Sequence, residues 1–207
     1  MRLIVTVWGL AALLAGCGTT APVMKPEQWT AVVERDYPHV TPTQAFDAAE
    51  RLLALADEDG VQFTRSETLF EAFRDWSKYA VLHSSAGSDY WTLAAREHEH
   101  GVKLVVQVSR IERSVTVGFP AGSTPVANVG NMDSAPIEGS AVYDLFWARM
   151  DYLLGRRADW ATCEDAKAAI ARRETHGSVD PLCNAFNMDD KSPAEPIITY
   201  PAASRDE

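Results

Sequence analysis

Two long segments of the chain carry apolar residues at the spacing of an α-helix. The first begins at Thr41, where Pro42 and Gln44 complete a capping box, and it ends before Gly60. Its apolar stripe repeats every three or four residues and consists of Phe46, Ala49, Leu53 and Ala56, widened by Leu52 and Leu55. We therefore predict an amphipathic helix over residues 41–56, with one face in the core.

The second segment lies in the C-terminal half of the chain. Ser140 stands at the expected N-cap, and Gly155 ends the pattern. The stripe between them consists of Val142, Phe146, Met150 and Leu153. A shorter helix is predicted from Thr162 to about Arg173. The residues on its apolar side are Cys163, Ala166 and Ile170.

Alternation of apolar and polar residues predicts β-strands between these helices. Residues 61–65 alternate, and residues 90–97 and 102–111 flank a turn that ends at Gly101, a pattern typical of a hairpin. The apolar face of the second hairpin strand consists of Leu104, Val106 and Val108.

Several other stretches are less regular. Residues 29–35 alternate weakly and favour a first strand. Residues 69–82 suit a helix by spacing and a strand by aromatic content, and the flanking turns favour a strand over 68–75. Residues 115–119 predict a short edge strand, and residues 118–139, with four Gly and three Pro, indicate a long irregular loop.

The predicted order of elements is strand, helix, several antiparallel strands and helix. At 207 residues and 46% hydrophobic content, the chain is large enough for one domain with a core. An antiparallel sheet buries its apolar face under helices, so we predict an α+β fold with the helices on one face. The order resembles that of helix-grip folds, including those of outer-membrane assembly lipoproteins. That resemblance is one of topology and does not define a function.

The balance of charges restricts the partners. The chain has 19 Lys and Arg against 29 Asp and Glu, a net charge of −10. Such a surface disfavours phosphate backbones, so we predict no nucleic-acid partner.

The N-terminal residues follow the pattern of an export signal. Arg2 supplies a positive charge, and residues 3–15 are apolar but too few for a stable membrane span. This run ends in Leu-Ala-Gly immediately before Cys17, a sequence that resembles the lipobox of bacterial lipoprotein precursors. The resemblance implies diacylglycerol on the Cys17 thiol, cleavage before it, and acylation, for example by palmitate, of the new amino group. An ordinary secretory signal is the alternative.

The residue after the lipobox bears on the destination. Gly18 stands where Asp would favour retention in the inner membrane, so we predict an outer-membrane lipoprotein that faces the periplasm. The inner membrane and the cell surface remain alternatives. Anchoring to the membrane would be by the lipid on Cys17 alone.

The cysteine count is odd for an exported protein, because the chain contains three. With Cys17 lipidated, Cys163 and Cys183 remain as a pair in an oxidising compartment, and we predict a disulfide that staples a C-terminal loop to the last helix. The alternative, a metal or redox site with two thiols, lacks Cys-x-x-Cys spacing.

These features divide the chain into four parts. Residues 1–16 are the predicted signal peptide, and residues 17–28, polar and proline-bearing, a lipidated tether. Residues 29–187 form a single domain, and residues 188–207, with scattered prolines and charges, a flexible tail.

Candidate chemistry is sparse. His98 and His100 would project to one face of an extended strand and could bind zinc or copper, but no third ligand is identifiable. The segment that contains His83 and Asp89 has serines but no Gly-x-Ser-x-Gly pattern. We therefore expect a solvated hairpin tip, no metal, no cofactor and no catalytic residue.

Four aromatic residues are the best candidates for a partner or ligand surface: Trp76, Tyr79, Tyr90 and Trp91. Core packing is the alternative for each of them. We expect a non-enzymatic envelope lipoprotein that binds a protein partner or contributes to an outer-membrane assembly. The alternative is a module that encloses a lipid or another hydrophobic ligand, and an enzyme comes third.

Overall fold

The structure is a computed structural model, and it describes residues 24–57, 60–80, 83–118, 126–130, 133–183, 190, 192–193 and 195–198. The helices are α1 (Pro26–Val33), α2 (Pro42–Ala56), α3 (Ala141–Leu153) and α4 (Cys163–Ala171). The strands are β1 (Glu34–Pro38), β2 (Val61–Arg65), β3 (Leu69–Ala80), β4 (His83–His98), β5 (Gly101–Gly118), β6 (Val126–Val129) and β7 (Asp133–Pro136).

The strands form one antiparallel sheet in the order β1-β5-β4-β3-β2. β7 and β6 pair with β5 further along the edge that β1 occupies. Side chains that include Ala72, Trp91 and Val108 point toward the helices, and we call this side the helix face. The opposite side, with Phe73 and Tyr90, is the outer face. The predicted α+β fold, with its helices on one side of an antiparallel sheet, is confirmed.

The core lies between the helix face and the helices. α2 buries its predicted stripe, and its capping box is formed, because the Gln44 N–H donates to Thr41 Oγ1 over 3.2 Å. α3 is buried around most of its circumference, where Phe146 and Trp147 are each 1% exposed. From α2 onward, the order of helix, antiparallel strands and helix is the one that the sequence predicted.

The N-terminal strand prediction was wrong, since residues 26–33 form a helix. Pro26 provides a favourable first helical position after Lys25, so the segment assigned to the end of the tether is the first turn of α1. Tertiary contacts hold this helix in place. The Trp147 indole N–H donates to the Val32 carbonyl over 2.7 Å, and the ring of Trp29 packs edge-on against Tyr143, with 5.2 Å between centroids.

The three central strands are longer than predicted. The strand favoured over 68–75 is confirmed and continues to Ala80, and residues 115–118 belong to β5, not to a separate edge strand. The irregular loop predicted over 118–139 was wrong in part. Residues 126–129 and 133–136 form β6 and β7, because the long β5 offers a free edge beyond β1. Phe119 lies outside the described residues.

Ser140 is the N-cap residue of α3, as predicted, but the expected capping bond of its side chain is absent. Its hydroxyl instead lies 2.7 Å from Thr175 Oγ1. The end of α3 agrees with the prediction, since Gly155 follows it with a φ of 70°, a conformation that favours glycine.

The disulfide between Cys163 and Cys183 is present, with 5.7 Å between the Cα atoms. It joins α4, capped by Thr162, to the loop that ends at Cys183. Arg149, only 1% exposed, supports this staple: its Nε donates to the Ala161 carbonyl over 3.0 Å, and its Nη2 lies 3.3 Å from Cys163 Sγ. Burial lowers the pKa of Arg149, while the nearby Asp190 opposes that shift.

Part of the predicted tail packs on the domain. Asp190 accepts a 2.7 Å hydrogen bond from Arg149 and another from the Cys163 N–H. The Ile197 N–H donates to the Leu153 carbonyl over 2.8 Å. The last carbonyls of a helix lack partners within the helix, so the Leu153 carbonyl at the end of α3 is free to bind this segment. The prediction of a flexible tail from residue 188 is therefore wrong for these positions.

Candidate functional site

The structure separates the four aromatic residues predicted to form one surface. Trp91 is a core residue: it is 3% exposed on the helix face, and its ring stacks on Phe146 with 5.3 Å between centroids. The prediction of a surface role for Trp91 was therefore wrong. A tryptophan buries a large apolar area, and here α3 provides the opposing surface.

Trp76 also lies on the helix face, nearer the distal end of β3. The guanidinium carbon of Arg110 lies 4.8 Å from the centroid of the Trp76 ring, and Lys78 Nζ lies 5.4 Å from the same centroid. Gly87 lies directly opposite on β4, where a Cβ would come within 2.0 Å of the Ile111 carbonyl oxygen and within 2.8 Å of the indole ring. The glycine therefore leaves room for both the β5 backbone and the indole. Trp76 belongs to a cationic environment and not to an apolar groove.

Tyr79 and Tyr90 lie on the outer face, with exposures of 77% and 37%. Tyr90 contacts Phe73, its direct neighbour on β3, with 5.0 Å between ring centroids. Tyr79 is six positions further along β3 than Phe73, which separates the two tyrosines by about 20 Å. They do not form one site.

Sequence reasoning did not select Phe73, which extends the aromatic surface of Tyr90. The register of β3 against β4 pairs these two residues, and only the folded hairpin reveals it. Two shallow grooves flank the pair on the outer face. One, of about 280 Å³, is lined by Phe73, Tyr90 and their neighbours Gln62, Thr64, Glu71, Ala72, Trp91 and Thr92.

The second groove has a volume of about 430 Å³ and lies between β1, β5, β4 and the start of β3. It forms because the small side chain of Ala94 lies between Leu69 and Val105. Its rim is charged: Lys103 Nζ lies 3.5 Å from Glu34 Oε2, and Arg96 lines the same rim. The outer face thus combines a small apolar floor, an aromatic pair and a polar border.

A buried charge cluster lies on the helix face. Asp89, fully buried, accepts hydrogen bonds from Arg74 Nη2 at 2.8 Å and from Arg110 Nε at 2.6 Å. Asp180, on the disulfide-closed loop, adds a carboxylate 3.0 Å from Lys78 Nζ. Each cation thus has a carboxylate partner, as buried charges require. We assign this cluster a structural role.

The histidine pair at the β4–β5 turn does not converge on further ligands. His98 Nε2 lies 3.0 Å from Asp36 Oδ1, and His98 Nδ1 accepts from the His100 N–H over 3.3 Å. Both ring nitrogens of His98 are therefore engaged. Across the part of the chain that the structure describes, no group of three or more His, Cys, Asp and Glu side chains is placed to hold a metal ion.

One serine lies near a histidine, at the start of α3. Ser140 Oγ is 3.5 Å from His176 Nδ1 and 2.7 Å from Thr175 Oγ1. Thr175 donates its own proton to Asp144 Oδ2 over 2.7 Å, so it must accept the proton of Ser140. The Ser140 hydroxyl consequently points away from the histidine, and the arrangement does not activate it as a nucleophile.

The serines of the β3–β4 hairpin also have structural roles. Ser88 donates to Asp75 Oδ1 across the strands over 2.6 Å. Ser85 is buried at 6% exposure. The side chain of His83, the histidine of this segment, lies outside the described residues.

Cys17, the predicted lipidation site, also lies outside the described residues. None of the described helices is both long and apolar enough to cross a membrane. No protein-family model, curated protein or solved structure matches the chain.

Proposed function

We propose that this chain is a membrane-anchored envelope lipoprotein without enzymatic activity, whose domain binds a protein partner through the outer face of its sheet. One observation carries the proposal for the domain. Among the described residues no helix covers the outer face, and this face presents the Phe73–Tyr90 pair beside an open groove.

The chemistry of the outer face supports a protein partner. Interfaces concentrate aromatic residues in their centre and keep charged residues at their rim. Tyr90 is 37% exposed, and the neighbouring groove has Ala94 in its floor and Glu34, Arg96 and Lys103 at its border. A side chain of the partner could fill the groove between Leu69 and Val105.

The alternative, an enclosed site for a hydrophobic ligand, has less support. Such a site needs an apolar cavity between helices and sheet. In the described part of the domain this space is occupied by packed side chains, including Phe70, Trp91, Leu104 and Phe146, each 3% exposed or less. The two grooves on the sheet are open to solvent and shallow.

The anchor is proposed from the resemblance of residues 14–17 to a lipobox. Metabolic labelling with a clickable palmitate analogue tests it in a bacterial host. We expect label on the wild-type chain and none on a Cys17→Ser variant. Equal labelling of both chains, or none of either, would remove the lipoprotein assignment.

Partner binding is tested separately with a photocrosslinking amino acid at Thr92, beside Tyr90 on the outer face. Glu50, exposed on α2, is the matched control position on the helix side. We expect a discrete adduct from position 92 that is absent from position 50 and is lost on Tyr90→Ala. The same adducts from both positions, or no adduct from either, would argue against the outer face as the binding surface.

A further inference from the structure

The sheet continues well beyond the short strands at its edges. β2 pairs with β3 only as far as Arg74, and from Asp75 onward no strand among the described residues pairs with this edge of β3. β3 and β4 nevertheless continue, alongside β5 and β6, to the pair formed by Ala80 and His83. We call this part of the sheet the distal end. Its described residues are 76–80, 83–88, 114–118 and 126–130.

The distal end carries very little charge, although the chain is acidic. The whole sequence contains 29 Asp and Glu, but none of them lies in residues 76–88 or 114–132. Lys78 is the one Lys or Arg in these two stretches, and its Nζ is paired with Asp180 Oδ2 at 3.0 Å. Anionic lipid headgroups repel acidic side chains and attract basic ones. The distal end is therefore suited to contact with a lipid surface.

An exposed tyrosine stands at the distal end. Tyr79 is 77% exposed, although it lies only one residue before the end of β3. Its neighbours across the outer face are Ser84 on β4 and Val115 on β5, which are small or apolar. A tyrosine combines an apolar ring with a polar hydroxyl, and such side chains favour the interface between lipid and water. Tyr79 is thus of the residue type that anchors a protein among headgroups.

The predicted tether leaves the domain on the side of the distal end. β1 begins at Glu34, which pairs with Val105 on β5. Trp29, earlier in α1, packs on Tyr143, whose hydroxyl accepts a hydrogen bond from the Val108 N–H over 3.3 Å. Toward its N-terminus, α1 therefore runs from the level of residue 105 past that of residue 108. This direction along β5 leads to the distal end.

The length of the tether matches the distance to the distal end. Nine Cα–Cα steps separate Cys17 from Pro26, so Cys17 lies at most about 30 Å from the start of α1. Eight residues of β5 separate Val108 from Thr116, the partner of His83, which is a length of about 26 Å. A bilayer that holds a lipid on Cys17 is therefore within reach of the distal end.

We propose that the distal end of the sheet rests on the surface of the lipid bilayer, with Tyr79 among the headgroups. This inference rests on the proposed lipid anchor and adds the orientation of the domain. β3, β4 and β5 stand upright on the membrane, and the β4–β5 turn points away from it. The Phe73–Tyr90 pair then lies about 20 Å from the headgroups and stays accessible to a protein partner.

Other orientations would press acidic residues against the headgroups. A domain that lay on its helices would bring down Glu27 of α1 and Glu50 of α2, both of which are exposed. A domain that lay on its outer face would bring down Glu71 and Asp75, which are exposed as well, and would cover the groove. Repulsion by anionic lipids opposes both arrangements. Charge therefore favours the upright orientation.

Fluorescence quenching by labelled lipids tests this orientation. The full chain is expressed in a bacterial host and extracted from its membranes with detergent, and mass spectrometry determines whether Cys17 is acylated. It is then reconstituted into vesicles of phosphatidylethanolamine and phosphatidylglycerol that carry nitroxide-labelled headgroups. A fluorescent aromatic amino acid replaces Tyr79 or, as the matched control on the same face, Tyr90. A third chain carries it at His100, in the β4–β5 turn.

We expect the nitroxide lipids to quench the reporter at position 79 and to leave those at positions 90 and 100 as bright as in unlabelled vesicles. Tyr79 pairs with Ser84, six residues before Tyr90, so the two tyrosine positions are about 20 Å apart along the strands. In a second set the reporter replaces Ser84. Tyr79→Asp should abolish its quenching, because it places a carboxylate at the headgroups, whereas Tyr90→Asp should leave the quenching unchanged.

The outcomes separate the orientation from the anchor. An acylated chain whose reporter at position 79 is not quenched would overturn the orientation and leave the anchor intact. Equal quenching at positions 79, 90 and 100 would overturn it as well. An unmodified Cys17 would remove the anchor and the orientation together. Quenching at position 84 that persists in Tyr79→Asp would remove Tyr79 as the residue that holds the distal end on the bilayer.

Discussion

Arg74 and Asp89 form a buried ion pair on the helix face of the sheet, with 2.8 Å between Nη2 and Oδ2. Their side chains are 5% and 0% exposed. Arg110 binds the same carboxylate through Nε and Nη2, at 2.6 and 3.0 Å. Two further nitrogens of Arg74, Nε and Nη1, have no hydrogen-bond partner among the described residues. One buried carboxylate therefore binds two guanidinium groups, and Arg110 Nη1 also lies 3.8 Å from Asp180 Oδ2.

Replacement of Asp89 by Asn should destabilise the domain strongly. Removing one partner of a buried pair leaves uncompensated charge, which costs about 3–5 kcal/mol. Urea unfolding of the wild type and the variant measures the change. Asp47→Asn is the matched control, because its partner Arg65 is solvent-accessible and exposed pairs contribute about 0–1 kcal/mol. Equal losses from both variants would contradict the assignment of a buried structural cluster.

Two adjacent aromatic residues should respond differently to truncation. Trp91→Ala removes a core ring stacked on Phe146, which should cost about 3–5 kcal/mol of unfolding free energy. Tyr90→Ala removes an exposed outer-face ring and should cost about 1 kcal/mol or less. Thermal or urea unfolding compares the two. A larger loss from Tyr90→Ala would mean that the two faces of β4 are exchanged.

The buried tyrosines predict a loss of stability at alkaline pH. Burial, followed by the charge of Asp151 and the hydrogen bond to it, raises the pKa of Tyr37, and burial raises the pKa of Tyr143. The protonated phenols contribute their full stabilisation of the folded state below a pH of about 10, which is the ordinary pKa of tyrosine. Above it the unfolded chain releases protons that the folded chain retains, so the unfolding free energy falls, by at most about 1.4 kcal/mol per pH unit for each tyrosine, until the folded chain releases the proton as well.

Urea unfolding between pH 9 and 11 measures this slope. Tyr37→Phe should lower the slope by about 0.7 kcal/mol per pH unit at pH 10 and by more above it, whatever its effect at neutral pH. Tyr143→Phe provides the parallel variant. A wild-type slope that neither substitution changes would show that other groups are responsible for the alkaline instability.

Loss of the disulfide should weaken the C-terminal part of the domain. The bridge spans 20 residues, and in the chain-entropy model such a loop contributes roughly 3 kcal/mol. The variant with both Cys163→Ser and Cys183→Ser should lose about this amount in urea unfolding. A reductant should lower the stability of the wild type alone. Equal stability of the oxidised wild type and the double variant would contradict the prediction.

Local patterns predicted most secondary structure because their physical causes are local. The capping box at Thr41 and the glycine at 155 define ends of helices through bonds within a few residues. The β4–β5 hairpin follows from alternation on both sides of a turn that ends at Gly101. The failures involve non-local partners. Residues 26–33 are helical against α3, and residues 126–129 are a strand because β5 extends past β1.

The candidate surface was predictable only in part. Aromatic composition selected Tyr90 correctly as a surface residue, but it also selected its neighbour Trp91, which points to the core. Consecutive residues of a strand face opposite sides, and the sequence does not state which side the helices cover. Phe73 was missed because its pairing with Tyr90 depends on the register of the β3–β4 hairpin.

The sequence by itself determined the fold class, the two long helices, the central hairpin and the pairing of Cys163 with Cys183, since periodicity, capping and cysteine count depend on the chain alone. Only the tertiary structure decided that Asp89 is shared by two arginines, that Trp91 is buried and Tyr90 exposed, and that the β3 edge is unpaired from Asp75. These features depend on strand register and on which residues pack above the sheet. Both are set by contacts between segments that are distant in the chain.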